Sequence, residues 1–287
     1  MVDTFRPSTL EEAVALRARQ SAVPFAGGTD LMVKLRRGAG ALPGFTEPVL
    51  FLDRCPELRL LGMKDGALEI GCMVTLRTLA ESSLVHPTLR DALLSMGGPG
   101  LRTVATLGGN ICNASPAADT LPFLYAFDAR VTLVSQAGER IVSILDFITG
   151  PGKTRLRSDE LLRSVLIPAW SPARAIWRKV GTRKANALTK VSIAAFADLD
   201  AARGARAKVL RARIALGAVG PTVVRLASVE TLLEGAAVEG MAQLRPRIRD
   251  AASAAVRPID DQRSTAEYRQ EVAAGLVESF VLHLAGA

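Results

Sequence analysis

The chain has 287 residues and a net charge of +8, with 49% hydrophobic and 22% charged residues, a composition of folded globular proteins that excludes a disordered chain. Its three scattered cysteines and two histidines exclude a disulfide framework, a complete iron–sulfur cluster, a zinc site and a Ser-His-Asp triad. No apolar run has the roughly eighteen residues of a membrane span, and the N-terminus has no secretory signal pattern, so we expect a cytoplasmic protein without a membrane span.

The N-terminal part of the chain predicts short helices and strands in a mixed order. Ser8 and Glu11 form a capping box that predicts a helix over residues 8–20. The next predicted elements are a strand at 23–25, a helix opened by Thr29 and Asp30, strands at 48–53 and 66–74, and helices at 75–82 and 87–97. Alternating side chains predict that the strand at 66–74 is half-buried.

The glycine-rich stretch 105–120, ATLGGNICNASPAADT, interrupts this pattern, because its glycines disfavour a helix and its proline and aspartate disfavour a strand. Beyond it, strands containing Val131, Leu133 and Ile141 are expected to be joined at Ala137–Gly138. The remaining elements are a turn at 145–154, a segment at 159–168 that ends in a proline, and strands followed by helices from residue 177 onward. The order of elements predicts an α+β fold rather than strict βαβ alternation.

The C-terminal half has two notable features, a predicted domain boundary and a basic segment. Two prolines, Pro168 and Pro172, indicate a domain boundary near Ala169 to Ala175. Residues 153–213 carry fifteen Lys or Arg against four Asp or Glu, a balance of +11. Such a basic segment is typical of a surface that meets an anionic cofactor, an acidic partner or nucleic acid, or of a solvated face, and no nucleic-acid-binding motif accompanies it.

The stretch PFAGGTD, residues 24–30, predicts a strand that ends in Gly27–Gly28 before a helix. Backbone amides without a Cβ beside them, at the positive end of a helix, can bind a phosphate. A plain β-turn before a capped helix explains the same letters.

The stretch 105–120 repeats the theme with Gly108–Gly109, flanked by Thr106 and Asn110. Two such loops near strand ends predict that one diphosphate is bound from two sides, and Asp119 offers a carboxylate for sugar-like hydroxyls. The alternative is two unrelated turns.

Other nucleotide motifs are absent. The letters GPGKT at 150–154 end like a phosphate-binding P-loop, but Phe147 stands where that motif requires glycine and Pro151 removes an amide, so we predict a turn. No G-x-G-x-x-G joins a strand to a helix, which argues against a Rossmann site. Lys179 and Arg183 could lie near phosphates or a reduced flavin, where a cation stabilises the anion; for Arg183 this rests on charge alone.

Together, AGGTDL and ATLGGNICNASPAADT resemble the flavin-binding subunit of molybdenum hydroxylases, the xanthine dehydrogenase and carbon monoxide dehydrogenase family. The resemblance extends through LDFITGPGKTRLRSDELLRSVLIP, RKVGTRKANALTKVSIAAF and LGAVGPTVVRLASVETLLEG. It implies a two-subdomain FAD-binding fold of the vanillyl-alcohol oxidase type at residues 1–170, split near 55–60. A C-terminal α+β domain of the carbon monoxide dehydrogenase flavoprotein type is implied at 175–287.

The resemblance also implies the residues that bind FAD. The first diphosphate segment matches Ala26, Gly27, Gly28, Thr29, Asp30 and Leu31, and the second matches Thr106, Leu107, Gly108, Gly109 and Asn110. Asp119 falls at the family's carboxylate, and Leu162 and Lys179 match positions that flank the isoalloxazine ring. No catalytic or metal-binding residue is expected on this chain.

By the same resemblance, the chain is an electron-transfer subunit whose FAD passes electrons from iron–sulfur clusters to a terminal acceptor. Molybdopterin is expected on a large partner subunit and two-iron two-sulfur clusters on a small one, in a dimer of heterotrimers. The alternatives are a stand-alone FAD oxidoreductase of related fold, similar to a UDP-N-acetylmuramate dehydrogenase, and a basic scaffold or nucleic-acid-binding protein. Flavin absorbance and co-purifying partner chains separate the three.

Overall fold

The computed structural model describes residues 2–183, 186–200 and 206–285. The outer limits predicted for the two domains, at residues 1 and 287, lie outside the described residues, as do Lys184 and Arg203 of the basic segment. The chain forms two compact units. The first comprises Met1–Val85, Gly97–Ser115 and Asp128–Ala169, and the second comprises His86–Met96, Pro116–Phe127 and Trp170–Ala287.

The strands and helices are numbered in chain order. The strands are β1 Thr4–Phe5, β2 Val23–Phe25, β3 Val49–Phe51, β4 Leu61–Lys64, β5 Ala67–Gly71, β6 Arg130–Ser135, β7 Gly138–Ser143, β8 Ile148–Gly150, β9 Lys153–Thr154, β10 Leu161–Pro168, β11 Arg174–Val180, β12 Val191–Leu199, β13 Val209–Gly217 and β14 Val224–Arg225. The α-helices are α1 Leu10–Gln20, α2 Leu31–Lys34, α3 Leu76–Glu81, α4 Pro87–Ser95, α5 Pro99–Arg102, α6 Leu107–Asn113, α7 Leu121–Ala126, α8 Ile144–Phe147, α9 Ala227–Leu233, α10 Met241–Ala255 and α11 Ala266–Leu284.

The first unit begins with a parallel sheet in the order β1-β3-β2, against which α1 packs. The predicted first helix is confirmed, but its cap is shifted by one residue. Thr9, not Ser8, is the N-cap and accepts from the Glu12 amide, and the Glu12 carboxylate accepts from the Ser8 amide at 2.8 Å. The capping box therefore joins Thr9 and Glu12, because the helix starts one residue later than predicted.

An antiparallel sheet in the order β4-β5-β10-β6-β7 forms the rest of the first unit. Asp65 and Gly66, with φ of 49° and 73°, form the two-residue turn between β4 and β5. All five residues of β5 are buried, so the prediction of a half-buried strand is wrong: β5 is covered on both faces. The parallel sheet ends at Phe51 and this sheet begins at Leu61, on either side of the split predicted near residues 55–60.

The second glycine segment is helical, which corrects the prediction of an irregular loop. Thr106 is the N-cap of α6, and Gly108 and Gly109 lie in its first turn. Glycine disfavours helix formation by roughly 1 kcal/mol relative to alanine, so a tertiary reason must retain it here. That reason is a close approach of another segment, described below.

The second unit is an antiparallel sheet in the order β11-β12-β13-β14 with helices on both faces. Side chains alternate along β12, so Ile193 and Ala195 join the apolar core formed with α9, α10 and α11. On the opposite face, Phe196 packs edge-on against Phe123 of α7, at 5.6 Å between ring centroids. The predicted α+β class is confirmed. Among the described residues, no helix has both the length and the apolarity that crossing a membrane requires.

Candidate functional site

The first glycine segment follows β2 and packs against the chain after α5. A Cβ on Gly27 would lie 2.0 Å from the carbonyl oxygen of Val104 and 3.0 Å from Cα of Ala105. Gly28 has a φ of +67°, and a Cβ there would lie 2.2 Å from the Phe25 ring. Both positions therefore require glycine, the first because backbones touch and the second because of its left-handed conformation as well.

This segment presents backbone donors that no part of the described chain uses. The amides of Gly27, Gly28, Thr29 and Asp30 donate to no acceptor in residues 2–183, 186–200 or 206–285, and the first three residues are only half-buried. Leu31 then opens α2. Consecutive unused amides in a glycine turn form a cradle for an anion, so the segment fits one phosphate pair of a dinucleotide such as FAD.

The second glycine segment differs, because its amides already have partners. Leu107 donates to Val74, Gly108 to Cys72, and Asn110 to the Thr106 carbonyl, at 3.0–3.2 Å. The Thr106 hydroxyl accepts from the Gly109 amide at 3.0 Å. The interpretation that these glycines present open amides is therefore wrong.

Gly108 serves packing instead. A Cβ at Gly108 would lie 2.4 Å from Cβ of Cys72, so only glycine lets α6 lie against that backbone. Gly109 faces the first segment, since a Cβ there would be 3.8 Å from Cβ of Ala26. The structure thus brings the two predicted glycine segments side by side, with α6 shaping the wall of the cradle.

Side chains also join the two segments. The Asn113 amide group donates to the Asp30 carboxylate and its oxygen accepts from the Lys34 ammonium. Asp30 is the N-cap position of α2 but makes no side-chain cap bond, because its carboxylate is used here. Asn113 was not predicted from the sequence, because no local pattern marks it and Asp30 lies 83 residues away.

Leu162 lies at an irregularity of β10, where the pairing with β6 shifts between Leu162 and Ser164, and it is 5% exposed. The same strand is tied to α6 through Cys72, whose amide donates to the Arg163 carbonyl at 2.9 Å while its own carbonyl accepts from Gly108. Leu162 is therefore held in the same unit as both glycine segments.

Asp119 and Lys179 belong to the second unit, where they form a buried ion pair of 2.6 Å. The second oxygen of Asp119 accepts from the Thr189 hydroxyl at 2.5 Å. Burial raises the pKa of the Asp119 carboxyl, and the Lys179 charge and the Thr189 hydrogen bond oppose that rise. The sequence predicted Asp119 and Lys179 separately but neither their pairing nor Thr189.

Lys179 also lines a cleft of about 260 Å³ in the second unit, whose other lining residues are Ser95, Trp177, Arg178, Arg183 and Ala187. The buried indole nitrogen of Trp177 has no acceptor in the described part of the chain. The Arg183 guanidinium donates to the Asn186 carbonyl at 2.6 Å. The cleft therefore offers N–H donors and positive charge beside an aromatic face.

The GPGKT segment and the cysteines do not form further functional sites. The letters GPGKT lie in the hairpin of β8 and β9, as the predicted turn requires. Burial raises the pKa of the Cys55 thiol to about 11 and that of the Cys112 thiol to about 12, so neither is a reactive thiolate at neutral pH. Among the described residues, no group of three His, Cys, Asp or Glu side chains could hold a metal ion.

Two family models match the chain. Residues 1–170 match the FAD binding domain in molybdopterin dehydrogenase, and residues 177–284 match the CO dehydrogenase flavoprotein C-terminal domain. Together they span nearly the whole sequence, in the order that the motifs indicated.

Curated relatives and solved structures agree with these matches. The chain is 31% identical to the xanthine dehydrogenase FAD-binding subunit of Escherichia coli O157:H7, over 92% of this chain and 89% of that one. It is 30% identical to the carbon monoxide dehydrogenase medium chain of Hydrogenophaga pseudoflava, over 95% and 93%. A solved structure of carbon monoxide dehydrogenase from that organism, which lacks the Mo-pyranopterin moiety of the molybdenum cofactor, superimposes with a TM-score of 0.87 at 27% identity, covering 99% of this chain and 96% of that chain.

Proposed function

The chain belongs to the family of the FAD-binding domain in molybdopterin dehydrogenase, and from that premise we propose that it is the FAD-binding electron-transfer subunit of a multisubunit molybdenum hydroxylase. The observation that carries the proposal is the pair of glycine segments packed side by side, with the amides of residues 27–30 unused. When bound, FAD supplies the chemistry of collecting single electrons and releasing them in pairs.

The protein's own part is to bind and orient. The amides from Gly27 to Asp30 would hold the diphosphate, with Ala26 and Leu31 bounding the segment. Thr106 to Asn110 would shape the facing wall, since most of their amides are used within the protein. Asn113 would keep the two segments in register through Asp30.

The family resemblance assigns three further residues to the flavin. Leu162 and Lys179 are proposed to flank the isoalloxazine ring. Asp119 is proposed to lie where the family has its carboxylate, close to the sugar-like hydroxyls of FAD. The buried pairing of Asp119 supports a role through Lys179. Lys179 would stabilise negative charge on the reduced ring.

Partner subunits follow from the relatives, which are named as FAD-binding subunits and medium chains of dehydrogenases. We propose a large molybdopterin-binding subunit and a small subunit with two-iron two-sulfur clusters, in a dimer of heterotrimers, with a terminal acceptor outside it. The cytoplasmic location stays a prediction.

The test is to purify the chain and measure its visible spectrum and FAD content. We expect one FAD per chain, and co-purification with molybdenum and iron–sulfur chains when the neighbouring genes are co-expressed. A colourless chain that does not take up added FAD would refute the proposal. A yellow chain that binds neither partner and oxidises a substrate alone would point to a stand-alone FAD oxidoreductase.

A further inference from the structure

Both oxygens of Asp119 already accept a hydrogen bond from the protein. Its Oδ2 accepts from Lys179 Nζ at 2.6 Å, and its Oδ1 accepts from Thr189 Oγ1 at 2.5 Å. Asp119 is 6% and Thr189 1% exposed, so water does not replace either partner. The carboxylate is thus an internal connector between two residues of the second unit.

Those two residues lie on opposite sides of one hairpin. Lys179 is next to the last residue of β11, and Thr189 is two residues before β12. The Lys190 amide donates to the Val180 carbonyl at 2.8 Å and closes the base of the hairpin. Asp119 comes from the distant segment that precedes α7, so it bridges the hairpin from outside.

The bridge determines where the Lys179 ammonium lies. One of its three N–H donors goes to Asp119, and the side chain lines the cleft beside Trp177 and Arg183. Without a second bond, the Asp119 carboxylate could rotate about its terminal torsion and let the ammonium move. Thr189 removes that freedom, because it fixes the other oxygen.

We infer that Thr189 is a positioning residue: by donating its hydroxyl hydrogen to Asp119, it holds the carboxylate against Lys179 and so keeps the ammonium in the cleft where it acts on the flavin. The inference rests on the proposed function for the flavin, but the bridge itself does not. Nothing in the local sequence ALTKV marks Thr189, since the carboxylate it contacts is 70 residues away.

The test compares Thr189→Val, which keeps the shape and removes the hydroxyl, with Thr189→Ser, which keeps the hydroxyl. Thr132→Val is the matched control, a buried threonine of β6 in the other unit. Two quantities are measured: the midpoint potential of bound FAD between about pH 5 and 8, and hydrogen exchange at the Lys190 amide in the FAD-free chain. Thr189→Ala replaces the valine variant if that variant does not fold.

For Thr189→Val, we expect the midpoint potential of FAD to respond to protonation of Asp119 at a pH about one unit higher than in the parent. The reason is that a carboxylate with one hydrogen bond fewer takes up a proton at higher pH, after which the site becomes more positive and the potential rises. Lys179 of β11 is the charged group that acts on Asp119 among the described residues, and Arg178 and Arg183 line the same cleft. Exchange at Lys190 should accelerate by about tenfold, as expected for the loss of roughly one hydrogen bond.

Thr189→Ser and Thr132→Val should behave as the parent in both measurements. The inference is overturned if Thr189→Val keeps the parent potential and exchange, or if the serine variant behaves as the valine variant does. If the parent chain binds no FAD, the proposed function fails, and the exchange comparison still decides whether Thr189 holds the hairpin.

Discussion

Replacing Gly27 by alanine tests the cradle most directly. The new Cβ would lie 2.0 Å from the Val104 carbonyl oxygen, whereas ordinary contact begins near 3.4 Å. The two segments must therefore separate by about 1.4 Å. Because the obstructing atom is backbone, no side-chain rotation relieves it, and we expect a loss of about 1–3 kcal/mol in the free energy of unfolding.

The same shift displaces the amides of residues 27–30 relative to the wall formed by α6. A hydrogen bond to a charged group contributes about 1.5–3 kcal/mol, and 1.4 kcal/mol corresponds to a tenfold change in affinity. Losing the alignment of one such bond should therefore weaken FAD binding at least about tenfold. The effect comes from geometry alone, since alanine adds no charge or polar group.

The assay is titration of the FAD-free chain with FAD, followed by flavin fluorescence, together with thermal unfolding of each variant. Gly38→Ala is the control, because no atom lies within 4 Å of its Cβ position and its φ is not left-handed. It should match the parent in both measurements. If Gly27→Ala unfolds at a lower temperature but binds FAD as tightly as the parent does, the diphosphate is not at these amides.

Three further predictions concern buried charge. Lys179→Met should lower the free energy of unfolding by about 3–5 kcal/mol in urea titrations, because it leaves the Asp119 carboxylate buried and unpaired, and adding Asp119→Asn should recover most of that loss. Burial holds the pKa of His86 below its ordinary value of 6.5, so the stability that the neutral imidazole contributes is present above that pH and lost as pH falls through the lowered pKa. His86→Phe should therefore make the melting temperature less dependent on pH between about pH 7 and 5. Hydrogen bonding from Arg140 holds the pKa of Glu160 below its ordinary value of 4.5, so Glu160→Gln should cost about 1–3 kcal/mol near pH 7, and its difference from the parent should shrink as pH falls through that lowered pKa. The explanation for Glu160 would be contradicted if the stability difference of Glu160→Gln stayed unchanged at low pH. The explanation for His86 would be contradicted if the melting temperature of His86→Phe depended on pH as steeply as that of the parent.

Local signals in the sequence predicted the elements whose ends they mark. The predicted helix at 75–82 corresponds to α3 with Thr75 as its cap, and the run at 48–53 contains β3. The strand β4 was missed although Asp65–Gly66 is a strong hairpin signal, because its residues Leu61–Lys64 are partly exposed and lack an apolar run. The missed helix α6 differs: its glycines oppose a helix locally, and the contact that explains Gly108 is with the distant Cys72.

Some residues of the candidate site could likewise be predicted from the sequence, whereas the roles of others depend on distant partners. The sequence marks Gly27 and Gly28 because both positions accept only glycine. The reason is local at Gly28, which has a left-handed backbone, whereas at Gly27 it is contact with the distant Val104 carbonyl. The role of Asp119 is ambiguous in the sequence, because an aspartate that accepts from a ligand and one that bridges Lys179 to Thr189 look alike there. The bridging role shows only in the hydrogen bonds that the carboxylate accepts, and these come from partners 60 and 70 residues away. A carboxylate in a cofactor motif can therefore also hold a neighbouring side chain, and its protein hydrogen bonds show which residues it holds; for Asp119 these are Lys179 and Thr189.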